Sequence, residues 1–264
     1  MPRQEEKTIS QADIYVIQGD DELSIRDHVS VLVNQYAAGG FMDMNTVRLD
    51  GRTVGHAEIS TALNMLPLGG SKRIVVLDHA LEAAKGDEGQ AWLENALSRL
   101  PATTVFTMIL EDSQKYSHGK MVWIAVAGAH WLRKALKASN RSVKWIESPL
   151  PSVRDMPDWI LEEARAQGGE FEPGAAAELA NLIGSNTSQA RSEVSKALSY
   201  VGSGQKVSRD VMRLLCSPSR EEDIFAMVDA AGRRDARNAL SLMHGLLRDQ
   251  PIQYIFSMLA RQLR

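Results

Sequence analysis

The sequence has a single cysteine, Cys216, in 264 residues, so no internal disulfide can form, and no Cys/His spacing suggests a structural zinc. A reducing cytoplasm is the expected setting. Neither sign of charge is in excess: 30 Lys and Arg against 33 Asp and Glu leave a net charge of -3 and no global pull toward nucleic acid or anionic lipid. Any such contact must come from a local patch. No run of eighteen apolar residues occurs, and Met1 to Ser10 is polar and charged, without the apolar stretch of a signal peptide. A soluble, non-exported protein is expected. A composition 44% hydrophobic and 24% charged suits one large or two to three small globular domains with real cores.

Short apolar runs rich in β-branched residues punctuate the first half: Ile14 to Ile17, Thr46 to Leu49, Ile74 to Leu77, Thr104 to Leu110 and Val143 to Ile146. These read as strands. Helical spacing lies between them, at about Leu23 to Ala37, Glu58 to Leu66, Gln90 to Leu100 and Gly128 to Ala138. The alternation predicts an α/β domain with a parallel, doubly wound sheet.

After Ser148 the pattern changes, since Pro149, Pro151 and Pro157 suit a connection better than an element interior. Pro157 is expected at a first helical position, with Gly168-Gly169 closing that helix. Leu179, Leu182 and Ile183 continue the spacing to Gly184, and Ala190, Val194, Ala197, Leu198 and Val201 continue it to Gly202. A three-helix unit of small size follows. A further boundary is expected between Ser203 and Pro218. Ser219 and Glu222 then read as a capping box, with Ile224, Phe225 and Val228 as its apolar stripe. Leu240, Met243 and Leu247 mark another helix, and Pro251 opens one carrying Ile252, Ile255, Phe256 and Leu259. The chain reaches Arg264 still in phase with that helix, which predicts a helical domain that stops short.

Motifs for bond chemistry are scarce. The loop after the first strand reads Gly19-Asp20-Asp21-Glu22, one glycine and three carboxylates, where a phosphate loop needs several glycines, a lysine and a hydroxyl. Gly69-Gly70-Ser71-Lys72 and Gly119-Lys120 lack the GxxxxGK[ST] spacing and read as turns. Asp78 and Glu111-Asp112 leave strand C-termini, a position that suits magnesium but equally suits polar residues entering solvent. GxSxG is absent, so no nucleophile elbow supports a hydrolase. No two histidines have the spacing of a helical metal site. Cys216, among Leu214, Leu215 and Pro218, reads as a buried or linker thiol.

Two surface features remain. Arg133, Lys134, Lys137, Arg141 and Lys144 have no acid among them, a pattern that serves a phosphate backbone or a solvated helix face. Met65-Leu66-Pro67-Leu68 occupies a turn between a helix and a strand, where polar residues are the norm. Apolar side chains there mark a partner site if exposed, or a plug under the sheet edge if buried.

The order of these features resembles a family, the delta subunit of the bacterial DNA polymerase III clamp loader. The resemblance rests on Tyr15-Val16-Ile17-Gln18-Gly19-Asp20-Asp21-Glu22, on Leu63-Asn64-Met65-Leu66-Pro67-Leu68 followed by Lys72-Arg73-Ile74-Val75-Val76, and on Glu222-Asp223-Ile224-Phe225-Ala226-Met227-Val228-Asp229-Ala230. The closing Pro251 and Met258 to Arg264 are similar too. The resemblance implies an AAA+-like plan: an α/β domain over residues 1–148 without a working phosphate loop, a small helical lid over 149–207, and a helical collar over 208–264 that is shorter than usual. It implies no ATP hydrolysis and no cofactor. The implied partners are the sliding clamp (beta subunit), the other clamp-loader subunits (gamma/tau and delta prime) and primer-template DNA within the complex.

Carried over by position, the clamp-binding element falls on Met65, Leu66, Pro67, Leu68 and Gly69. The family usually has two bulky apolar residues where this chain has Leu68 and Gly69, so Gly69 departs from the pattern. Lys120 to Ala129 is also more apolar than the family's usual charged segment. Arg133, Lys134 and Lys137 are the candidate DNA contacts. Two other readings of the residues stay open: a degenerate P-loop-type NTPase using Asp78 or Glu111, and a plain DNA-binding module.

Overall fold

Alternation in the first strand sets the layers. Along β1 (Ile14–Gly19), Ile14 and Val16 pack with one buried cluster while Tyr15 and Ile17 pack with another, so both faces of the strand are covered. β2 (Thr46–Asp50), β3 (Arg73–Asp78) and β4 (Thr104–Glu111) follow, then the hairpin strands β5 (Gln114–Ser117) and β6 (Lys120–Trp123), and β7 (Val143–Ser148). Five of these form one parallel sheet in the order β2-β3-β4-β1-β7. These are the five strands expected from the sequence, each longer by one or two residues.

The computed structural model describes residues 9–36, 42–69, 72–117, 120–128, 130–215, 227–228, 230 and 232–249, and the chain divides into two compact units, Met1–Leu150 and Pro151–Arg264. In the first unit α1 (Glu22–Tyr36) covers one sheet face with Ile25, Val29 and Leu32. The short α2 (Met42–Asn45) leads into β2. The other face is covered by α3 (His56–Asn64), the single turn α4 (Ala80–Ala83), α5 (Gly86–Ser98) and α6 (Trp131–Ala138), through Ile59, Leu63, Leu93, Leu97, Leu132 and Leu136. Three layers result, with polar groups inside them paired: the buried Tyr15 hydroxyl lies 2.8 Å from that of Tyr36, and it accepts from the Ala12 amide. Burial, reinforced by the Tyr36 contact, raises the Tyr15 pKa.

The second unit is helical. α7 (Met156–Ala166) carries Pro157 at its start, α8 (Pro173–Ile183) ends on Gly184 and α9 (Thr187–Val201) ends on Gly202. Both glycines have positive φ, 62° and 78°, which side-chain-bearing residues adopt at a cost. α10 (Arg209–Leu215) buries Met212 in the same cluster as Ile160, Leu179 and Val194. A further helix spans Ala236–Asp249. The capping box at Ser219 and Glu222, Cys216, and the helix expected after Pro251 lie outside the described residues.

Two features go beyond the sequence expectation. β5 and β6 form an antiparallel hairpin after β4, and Glu170–Phe171 pairs in parallel with Lys206–Val207 within the helical unit. Both are too short to show periodicity.

Candidate functional site

Helix α3 buries Ile59, Ala62 and Leu63 on one face. It stops at Asn64 because Met65 turns to extended backbone (φ -69°, ψ 133°), and Pro67 follows. The last carbonyls of an α-helix need outside donors. Here Arg73 donates to the Ala62 carbonyl at 2.8 Å and Thr104 to the Leu63 carbonyl at 2.9 Å, so the next strands anchor the helix end.

Beyond that anchor the chain projects outward. Leu66 is 75% exposed, and Met65 and Leu68 are each 50% exposed, while Pro67 is half-buried and Gly69 exposed. The side chains point to water, yet the turn is held. Asn45, itself buried, donates to the Leu68 carbonyl at 2.9 Å and accepts from the Leu68 amide at 2.8 Å. Its two-point grip fixes the backbone at the middle of the apolar run. The neighbouring Met44 is exposed and its carbonyl accepts from Arg73, which brings a further apolar side chain to this corner. Gly69 has φ 72°, the left-handed region that favours glycine.

The opposite, C-terminal edge of the sheet is where nucleotides bind in open α/β folds. A cleft of about 680 Å³ lies there, bordered by Gly19, Glu22, Arg48, Asp50, Asp78 and His79 among others. Several of its charged groups lie against one another. Arg48 pairs with Asp78 at 2.6 Å, Arg52 with Asp50 at 2.7 Å, and His79 lies between Asp50 at 3.1 Å and Glu111 at 2.6 Å. The Arg52 hydrogen bonds hold the Asp50 carboxyl well below the usual range.

The loop after β1 is committed as well. A Cβ at Gly19 would overlap the Ser148 carbonyl, so only glycine fits between β1 and β7 here. Asp21 accepts from the amides of Leu23 at 3.1 Å and Ser24 at 3.3 Å. Its carboxylate therefore occupies the α1 N-terminus, the place an anionic ligand would take. Asp112 is spent similarly: it accepts from the amides of Ile124, Ala125 and Val126 and from Gln18 at 2.6 Å. Among the described residues no group of three or more His, Cys, Asp or Glu could hold a metal ion, and no helix is long and apolar enough to cross a membrane.

On α6, Lys134 and Lys137 are exposed. Arg133 is not on the same footing. Its guanidinium stacks 3.8 Å above the Trp145 ring and reaches Gln18 at 3.5 Å, tying α6 to β7 and β1. Arg141 likewise donates to the Leu100 carbonyl. Asn45, Arg73 and Thr104, which build the apolar corner, carry no local sequence signal, because each acts on a segment 11 to 41 residues away.

Residues 15–139 match the model of the family described as DNA polymerase III, delta subunit. The curated DNA polymerase III subunit delta of Bacillus subtilis (strain 168) is 20% identical over 206 residues, 75% of this chain. This chain spans 55% of that relative's length. Among solved structures, the Bacillus subtilis DNA clamp loader delta protein (YqeN) superposes with a TM-score of 0.70 at 17% identity, covering 95% of this chain and 72% of that one. Thermotoga maritima RuvB aligns with a TM-score of 0.46 at 13% identity, over 83% of this chain and 69% of that one. A parallel-sheet α/β core followed by helices is thus the fold, as in that clamp loader delta protein, and this chain resembles the delta subunit of DNA polymerase III.

Proposed function

We propose that this chain is a non-hydrolysing clamp-loader component that binds the sliding clamp through Met65, Leu66, Pro67, Leu68 and Gly69 and favours the open ring during DNA replication. The observation that carries this reading is the exposure of Leu66 and Leu68 on a turn whose backbone Asn45 holds at two points. Large apolar side chains held in water by a rigid frame lose little entropy on binding, so their burial converts efficiently into affinity. No bond is made or broken: a protein that grips the open ring more tightly than the closed one shifts the population by that difference alone. As a subunit it would serve a DNA-directed DNA polymerase (nucleotidyltransferase) holoenzyme in the cytoplasm without chemistry of its own. The other loader subunits, gamma/tau and delta prime, and primer-template DNA complete the assembly. In that assembly residues 1–148 carry the clamp site, 149–207 act as the lid and 208–264 contribute to the collar.

The committed state of the β1 loop supports this reading over the nucleotide-hydrolysing one, since Asp21 caps α1 and Arg48 holds Asp78. The test is binding of purified sliding clamp to the chain and its variants. Leu66→Asp and Leu68→Ala are expected to weaken the complex by roughly 2 kcal/mol each, the scale of an interface hot spot, at unchanged melting temperature. Unaltered affinity in both would sink the proposal.

A further inference from the structure

From Ser113 to Ile146 the chain has no Asp or Glu, while Lys115, Lys120 and five basic residues between Arg133 and Lys144 fall inside that stretch. In a chain of net charge -3, positive charge is therefore concentrated in the one connection that leads from β4 to β7. Lys115, Lys120, Lys134, Lys137 and Lys144 are exposed, and no ion pair holds any of them among the described residues; the lysines that do pair with carboxylates are Lys72, Lys85, Lys196 and Lys206. The acids that precede the stretch are occupied, Glu111 by His79 and Asp112 by backbone amides.

The β5–β6 hairpin adds a second, independent feature. Tyr116 and Met121 face each other directly across the ladder and are 74% and 55% exposed. Lys115 adjoins Tyr116 on one strand and Lys120 adjoins Met121 on the other, so by strand alternation the two lysines share the opposite face of the two-stranded ribbon. The base is rigid, since Trp123 is buried and the Asp112 carboxylate holds the amides of the next three residues. An apolar pair alone would suit a protein surface. An exposed ring on a narrow ribbon whose other face carries unpaired lysines suits a polyanion whose flat bases are free to stack, and duplex DNA hides those faces.

We infer that the β5–β6 hairpin is a contact for single-stranded nucleic acid: Tyr116, beside Met121, stacks on a base, and Lys115 and Lys120 on the other face of the narrow ribbon attract the phosphates of the strand as it passes over the hairpin's edge. The exposed Lys134 and Lys137 add to the attracting field. This surface is separate from the apolar corner. The corner precedes β3 at the N-terminal edge of the sheet and the hairpin follows β4 at the C-terminal edge, a strand length of about 20 Å away.

The test is fluorescence anisotropy of a labelled oligothymidylate strand with the full chain, over a salt series. Tyr116→Phe keeps the ring and should retain affinity, while Tyr116→Ala and Tyr116→Leu should each weaken it about tenfold, the scale of one lost base stack. Replacing Lys115 and Lys120 together by alanine should flatten the log–log salt dependence by about 1.4, or ~0.7 per phosphate contact. The inference is overturned by absence of saturable binding at low salt, by an unchanged salt slope in the double variant, or by equal affinities of the Phe and Leu variants. It is also overturned if Tyr116→Ala spares the strand but lowers capture of sliding clamp, which assigns the hairpin to a protein partner. Failure of the clamp reading would show separately, as indifference of clamp affinity to Leu66→Asp.

Discussion

Replacing Asn45 by alanine separates the frame of the apolar corner from the side chains it presents. Asn45 is 3% exposed and makes two hydrogen bonds to the Leu68 backbone, at 2.9 and 2.8 Å. The Leu68 groups lie at the surface, where water can replace the lost partner, so each bond should count near the net value of about 1 kcal/mol rather than the full cost of a buried orphan. Asn45→Ala is therefore expected to cost roughly 2 kcal/mol, much of it as local disorder of the turn. A binding-competent turn populated less often lowers apparent affinity by the same fraction, so the clamp complex should weaken by up to about thirtyfold although no side chain proposed to touch the clamp has changed. Calorimetric titration against purified clamp, with melting measured in parallel, reads both effects. The double variant Asn45→Ala with Leu66→Ala should lose less than the sum of the single losses, because a disordered turn has less to lose from its anchor. A melting shift of several degrees with clamp affinity unchanged within twofold would refute the reasoning.

Gly69→Ala should lower stability by about 1 kcal/mol despite the added apolar carbon, because φ is 72° there, and Gly69→Asn should be milder; equal denaturation midpoints for both variants and the parent would contradict this. Asp112→Ala strips the acceptor from three amides and the Gln18 side chain, with an expected cost of about 3 kcal/mol or more in chemical denaturation, and a loss below about 1 kcal/mol would count against the tie between β4 and the loop after the hairpin. His130 caps α6 by accepting from the Leu132 amide at 3.3 Å. Burial first, then Arg133, lower its pKa from the ordinary 6.5, with Asp112 opposing. The unfolded chain therefore takes up the proton first. That contribution is full above about pH 6.5 and is lost as the pH falls from there through the lower folded value. Denaturation midpoints compared between about pH 7.5 and about pH 5 should show the loss, and His130→Asn, which keeps a cap acceptor without titrating, should shrink it.

How much was legible beforehand differs from element to element. The strands at Ile14, Ile74 and Thr104 were readable because a strand buried on both faces must be a continuous run of β-branched or apolar residues, whatever it packs against. Helix ends at Gly184 and Gly202 were readable because positive φ is a local demand that selects glycine. The β5–β6 hairpin was not, since four-residue strands exposed along most of their length show no apolar periodicity. The apolar run at Met65 to Leu68 stood out as an anomaly, yet whether it was a plug or a projection was open. The answer came from Arg73 and Thr104, which satisfy the end of α3 so that the chain beyond it need not turn inward.

Sequence alone determined the layer plan, the lack of a glycine-rich phosphate loop and the unusual composition of one turn, because each follows from residue type and near-neighbour spacing. Tertiary structure decided what those residues are free to do. Asp21 became a helix cap, Asp78 an arginine partner and Arg133 a ring-stacked tie, while Leu66, Tyr116 and Lys120 were left facing water. The physical reason is range. Helix and strand signals act over a few residues, whereas the hydrogen bonds that commit or release a side chain join segments as far apart as Gln18 and Asp112, which only the closed sheet brings to 2.6 Å.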